Sequence, residues 1–163
     1  MRKKIVITGG VGYIGTELCK IYSGVSRHNK IIVLDNRFIS ERVNQLRDWG
    51  IEFIHGDILD YDLMKEILND ADVVHHLAGI TDVARTLGES NEEKDKKHNL
   101  VALRGVENLI KAVNKNCKII FPSTHVIYEG LTSIKRNITE DEPPKPILAY
   151  PTSKLQNEEQ IKD

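Results

Sequence analysis

Cysteine is scarce: two residues in 163. Cys19 falls in the first predicted helix and Cys117 at the mouth of a predicted strand. They form no CxxC pair, so no structural disulfide is expected and no metal ligand set is assigned. Long apolar runs are missing too. No segment approaches the roughly 18 continuous apolar residues of a membrane span. Arg2-Lys3-Lys4 precedes an apolar stretch as a signal peptide would, but four glycines interrupt that stretch and no cleavage-site pattern follows. Neither sign of charge dominates, with 23 Lys and Arg against 24 Asp and Glu. This balance gives no reason to invoke nucleic acid or an anionic membrane. The mixed run Glu93-Lys94-Asp95-Lys96-Lys97 reads as a solvated helix face. There is no internal repeat and no low-complexity tract. At this length, with 40% hydrophobic residues, the expectation is one soluble, cytoplasmic domain with a sizeable core.

What is present begins with Lys4-Ile5-Val6-Ile7-Thr8, a β-branched run that reads as a buried parallel strand. It enters Gly9-Gly10-Val11-Gly12-Tyr13-Ile14-Gly15 and then a helical pattern from Thr16 to Ile21. A strand, glycine turn and helix in that order suit a dinucleotide pyrophosphate. Gly9 permits the tight turn, Gly12 lets backbone approach phosphate, and Gly15 lets the helix pack close to the strand. The helix N-terminus adds free N–H groups and positive dipole potential. Glycines alone also mark ordinary loops, so the second signal matters. Ile31-Ile32-Val33-Leu34-Asp35-Asn36 is another buried strand, ending in a carboxylate 20 residues after Gly15. An Asp there accepts from the ribose hydroxyls and repels a 2′-phosphate, favouring NAD over NADP. Arg37 beside it works against that preference.

The pattern then alternates. A short helix is expected over Asn44–Trp49, strand three over Ile51–His55, a helix over Asp62–Leu68, and strand four over Asp72–Leu77. A long helix over Asn91–Val113 precedes strand five at Lys118–Phe121. Glu129 to Ala149 reads as loop, with Pro143, Pro144 and Pro146 imposing extended backbone. A last helix starts near Pro151. His75 and His76 read as packing residues in a strand. Right-handed crossovers predict a Rossmann-like, doubly wound α/β fold with parallel strand order 3-2-1-4-5.

Tyr150 and Lys154 stand four apart, on one face of that last helix. Moving a hydride from an alcohol carbon to NAD requires a base for the hydroxyl proton. A free tyrosine, with a pKa of about 10, is a poor one. A lysine ammonium and a nicotinamide cation both favour the phenolate. Thr124, after strand five, is placed to donate its hydroxyl to the same oxygen.

Taken in order, Thr8–Gly15, Leu34-Asp35-Asn36, Gly56-Asp57-Ile58, His76-Leu77-Ala78-Gly79, Pro122-Ser123-Thr124 and Tyr150–Lys154 resemble the extended short-chain dehydrogenase/reductase family. This group contains the NAD-dependent sugar-nucleotide epimerases and dehydratases, and the resemblance covers all 163 residues. It implies a catalytic set of Tyr150, Lys154 and Thr124 acting on a nucleotide-sugar. It implies an NAD site of Gly9, Gly12, Tyr13, Ile14, Gly15, Asp35, Asn36 and Arg37, with Asp57 and Ile58 at the adenine. Leu77, Ala78 and Gly79 would line the cofactor channel, and Ser123, Tyr150 and Lys154 would also touch the cofactor. The family's cofactor-facing Asn on the long helix falls on Asn99 when counted back from Phe121. Matched through Gly105-Val106-Glu107-Asn108-Leu109 it falls on Ala102, and both remain open.

Two departures stand out. Dehydrating members follow the threonine with Asp and Glu, whereas Thr124 is followed by His125 and Val126. This favours epimerisation or simple redox, with His125 read as structural. Glu129 replaces the usual Gly after Tyr128. Members of this family usually run to about twice this length, so the chain reads as the NAD-binding portion, truncated before the last strands and the substrate domain. The resemblance further implies a homodimer through the helices near 91–113 and 151–163. The rival expectation is an NAD-binding module without catalysis of its own.

Overall fold

The computed structural model describes residues 2–81, 83–84, 86–132 and 137–162. Residues 133–136 of the expected loop and Asp163 at the end of the expected last helix lie outside them. The chain divides into two compact units. One comprises Met1–Gly79 with Gly105–Pro122, and the other Ile80–Arg104 with Ser123–Asp163.

The first unit holds one parallel sheet in the order β3-β2-β1-β4-β5, as expected. Its strands are β1 (Lys4–Thr8), β2 (Lys30–Asp35), β3 (Glu52–His55), β4 (Val73–His76) and β5 (Lys118–Ile120). Between them run α1 (Tyr13–Ser23), α2 (Ser40–Asp48), α3 (Tyr61–Leu68) and α4 (Glu92–Ala112), whose first part belongs to the second unit. β1 pairs β2 from Lys4↔Lys30 to Thr8↔Leu34, and β4 from Ile5↔Val73 to Thr8↔His76. These registers bring the ends of β1, β2 and β4 level, where β1 passes into the glycine turn.

Side chains alternate across a strand, and burial on both faces demands apolar residues at every position. Ile5, Ile7, Ile31 and Val33 form one core cluster with Cys19, Val43 and Leu46 from α1 and α2. The intervening Val6, Ile32 and Leu34 are equally buried, as are Met64 and Leu68 of α3 and Val106 and Leu109 of α4.

The two strand histidines are packing residues, as expected. His75 Nε2 lies 2.7 Å from the Tyr22 hydroxyl, and His76 Nδ1 lies 2.9 Å from Thr8 Oγ1. The His76 ring also stacks on Phe121, centroids 6.2 Å apart. Burial and the charge of Lys118 hold the His75 imidazole below its ordinary range.

Several boundaries move. α1 begins at Tyr13 rather than Thr16, because Gly12 serves as its N-cap and Gly15 sits inside its first turn. α2 begins at Ser40, four residues before the expected start, with Val43 and Leu46 forming its short buried stripe.

The second unit contains the first part of α4, a 3-10 turn at Leu87–Glu89, another at His125–Tyr128, and α5 (Ala149–Lys162). α5 therefore starts two residues before Pro151 and takes Ala149 out of the expected loop. Proline is tolerated there because first-turn amides need no intrahelical acceptor. Thr152 N makes the first helical bond, to Leu148 O at 3.2 Å.

Candidate functional site

In the first unit the glycine turn is shaped by close approaches. Gly9 has φ +73°, and a Cβ there would sit 2.7 Å from Ala78 N. The missing side chain thus permits both the turn and the contact with the strand end at Leu77-Ala78-Gly79. A Cβ on Gly15 would meet Gly9 O at 2.5 Å. The close approach is accordingly between α1 and the turn. Ala78 N donates to Thr8 Oγ1 at 3.3 Å, and Leu77 N to Thr8 O at 3.1 Å.

Gly12 caps α1 without a side-chain bond. The amides of the first turn consequently lack intrahelical acceptors and present positive potential. Tyr13 and Ile14, in that first turn, are 81% and 65% exposed.

Asp35, only 5% exposed, accepts from Val11 N at 3.1 Å and from Arg37 N at 3.0 Å. Each carboxylate oxygen has a second lone pair, leaving capacity for a ribose hydroxyl. Arg37 Nε also lies 3.5 Å from Asp35 Oδ1. Its Nη2 is 3.5 Å from where a Cβ on Gly12 would be. Asn36 Nδ2 donates to Asp57 Oδ2 at 3.0 Å, and Leu59 N to Asp57 Oδ1 at 2.9 Å. Ile58 packs its side chain where α4 has Gly105, and its carbonyl accepts from Asn108 at 2.9 Å. Ile58 is 5% exposed, so its side chain belongs to the core. A bare helix N-terminus, a glycine cradle and a strand-end carboxylate together fit a dinucleotide.

The second unit holds the other predicted residues. Lys154 Nζ lies 5.9 Å from the Tyr150 ring centroid. Burial pushes the Lys154 ammonium below the usual lysine range, with the charge of Glu158 opposing it. Thr124 Oγ1 accepts from Val126 N at 3.3 Å, which leaves its own proton to donate. The Ser123 hydroxyl donates to Glu158. His125 is exposed and Asn99 half-buried.

Sequence reasoning missed three features. Arg42 Nη1 donates to Val11 O, but the expected helix began after it. Glu129, flagged only as a departure, accepts from Ile147 N and Leu148 N, each at 2.7 Å. It thereby anchors the segment that leads into Tyr150. The α4 side chain whose ring meets Tyr150 is His98, with centroids 5.8 Å apart. His98 lies one turn before Ala102 on the same face, and no short-range spacing marked it.

The family model "NAD dependent epimerase/dehydratase family" matches residues 5–163. A CDP-paratose 2-epimerase of Salmonella typhi is 34% identical over 84% of this chain and 41% of its own length. The solved UDP-glucose 4-epimerase of Bifidobacterium longum, in complex with NAD+ and UDP, superposes with a TM-score of 0.81 at 25% identity. It covers 99% of this chain and 48% of its own. That of Brucella ovis, in complex with NAD, gives 0.79 at 28% identity, covering 99% and 47%. The chain thus spans less than half the length of each of these relatives.

Proposed function

Because this chain belongs to the NAD dependent epimerase/dehydratase family, we propose that it serves an NAD-linked epimerase or related oxidoreductase acting on a nucleotide-sugar. The observation that carries this reading is the Tyr150–Lys154 pair on one turn of α5. Residues 1–163 act together as the NAD-binding portion. Gly9, Gly12, Tyr13, Ile14 and Gly15 hold the pyrophosphate, Asp35 with Asn36 and Arg37 the adenosine ribose, and Asp57 with the Ile58 main chain the adenine. Leu77, Ala78 and Gly79 line the channel, with Asn99 and Ser123 as further contacts.

NAD, when bound, supplies a reversible acceptor for a hydride from a sugar carbon. Tyr150 takes the proton of the sugar hydroxyl, Lys154 supplies the neighbouring positive charge, and Thr124 donates a hydrogen bond to the same oxygen. The residues after Thr124 are His125 and Val126, so no carboxylate pair follows to drive elimination, and epimerisation fits better than dehydration.

Calorimetric titration of NAD and NADP into the 163-residue chain tests the reading. Saturable binding with preference for NAD is expected. No heat from a sample that is folded by circular dichroism would overturn it.

We also propose a homodimer through α4 and α5. Leu100 is 53% exposed, and Leu103 lines a shallow hollow with Gln156, Glu159 and Gln160. Light scattering at tens of micromolar should return twice the chain mass, and a monomer mass would refute the dimer. A cytoplasmic address suits two cysteines that are both free.

A further inference from the structure

His98 is 4% exposed, on α4, and its Nε2 lies 2.8 Å from Ser153 Oγ. Ser153 Oγ in turn donates to the Tyr150 carbonyl at 2.9 Å. A hydroxyl has one proton. It goes to the Tyr150 carbonyl when the ring presents Nε2–H, and to Nε2 when the ring carries its proton on Nδ1, so a neutral imidazole of either tautomer bonds Ser153. Burial favours that neutral ring over a charged one.

The same ring packs against Tyr150 at 5.8 Å and 57°, and α5 places Lys154 by that tyrosine. One turn along both helices, Asn157 Nδ2 donates to Ala102 O at 3.3 Å. His98–Ser153 and Ala102–Asn157 are therefore two rungs of one polar seam. The upper rung reaches the proposed base, and the lower does not.

We propose that His98 is a positioning residue for Tyr150: a neutral imidazole that, through Ser153 and through ring contact, fixes the rotamer of the phenol beside Lys154. The proposal rests on the reading of Tyr150 as base, but its geometry stands without it. The charged groups acting on His98 are Asp95 on α4 and Lys154 on α5, with the Ile80 backbone as the remaining polar influence. Asp95 and Ile80 favour a proton on the ring. Burial and Lys154 oppose it more strongly and hold the imidazole below its ordinary 6.5. Folded chain then takes up this proton only below the pH at which an unfolded histidine would. At neutral pH the seam is intact.

Leucine at position 98 removes the donor and the flat ring. Glutamine keeps an N–H donor near the place of Nε2, so His98→Gln is the conservative variant. NMR of the chain labelled with ¹⁵N-histidine and ¹³C-tyrosine reads the outcome directly, with the Tyr150 signals assigned through Tyr150→Phe. His98 should show a neutral ring at neutral pH. Tyr150 should show one rotamer with cross-relaxation to the Lys154 side chain, lost to rotamer averaging in His98→Leu and restored in His98→Gln. A charged ring at neutral pH, or an unaltered Tyr150 rotamer in a folded His98→Leu, would overturn the proposal. If His98→Leu fails to fold, the charge state of the ring and the Gln variant still decide it. None of these signals depends on turnover, so a failed NAD titration would sink the enzymatic reading and leave the His98 result separately readable.

Discussion

Phenylalanine at position 150 is expected to lower turnover by about a thousandfold, with NAD affinity held within a few-fold of the wild type. The substitution removes one oxygen and nothing else. The ring that meets His98 and the Lys154 ammonium over its face both remain. The Ser153 hydroxyl bonds the main-chain carbonyl of residue 150, not its side chain, so the start of α5 is untouched. What disappears is the oxygen proposed to take the sugar hydroxyl proton, and a loss confined to the chemical step is the expected result. Single-turnover absorbance of the reduced nicotinamide, followed over a panel of nucleotide-sugars, separates that step from binding. Near-normal rates in Tyr150→Phe would show that another group is the base.

Alanine at position 35 should act on both stability and specificity. Asp35 receives the Val11 amide and the Arg37 amide, and Val11 has no exposed surface. Removing the carboxylate leaves a buried N–H without an acceptor. Such a group costs about 1–3 kcal/mol, so a loss of about 1–3 kcal/mol in unfolding free energy is expected. The ion pair with Arg37 adds little, because the Arg37 side chain is 58% exposed. NAD affinity should fall by about tenfold or more with the lost ribose acceptor. Discrimination against NADP should relax, since the repelling charge is gone and Arg37 is released. Asp35→Asn keeps an acceptor oxygen and serves as the milder variant. Denaturant midpoints and paired NAD and NADP titrations check both effects. A wild-type midpoint with unchanged selectivity would assign the preference to Arg37 and the turn backbone instead.

These two residues were visible for different reasons. Asp35 was marked by a strand ending after the glycine turn, and its ribose role was argued from that spacing. Its grip on Val11 was not visible, because the amide lies 24 positions away and meets the carboxylate only when β1 and β2 are in register. Tyr150 was marked by Lys154 four residues on, a distance one helical turn fixes. Its contact with His98 was hidden, since nothing local relates α4 to α5. Glu129 showed as an oddity of pattern, and its purpose emerged only with the amides of Ile147 and Leu148 against it.

The amino-acid sequence by itself determined the alternation of strands and helices, the parallel order 3-2-1-4-5, the glycine turn and the Tyr–Lys pair. Each of these depends on periodicity, on short fixed spacings, or on the handedness of crossovers. Tertiary structure alone decided which carboxylates clamp backbone, that the Ile58 side chain is core, packed against Gly105, and which α4 side chain stands against Tyr150. Those outcomes turn on contacts of a few ångströms between segments far apart in the chain, and packing, not spacing, sets which atoms meet.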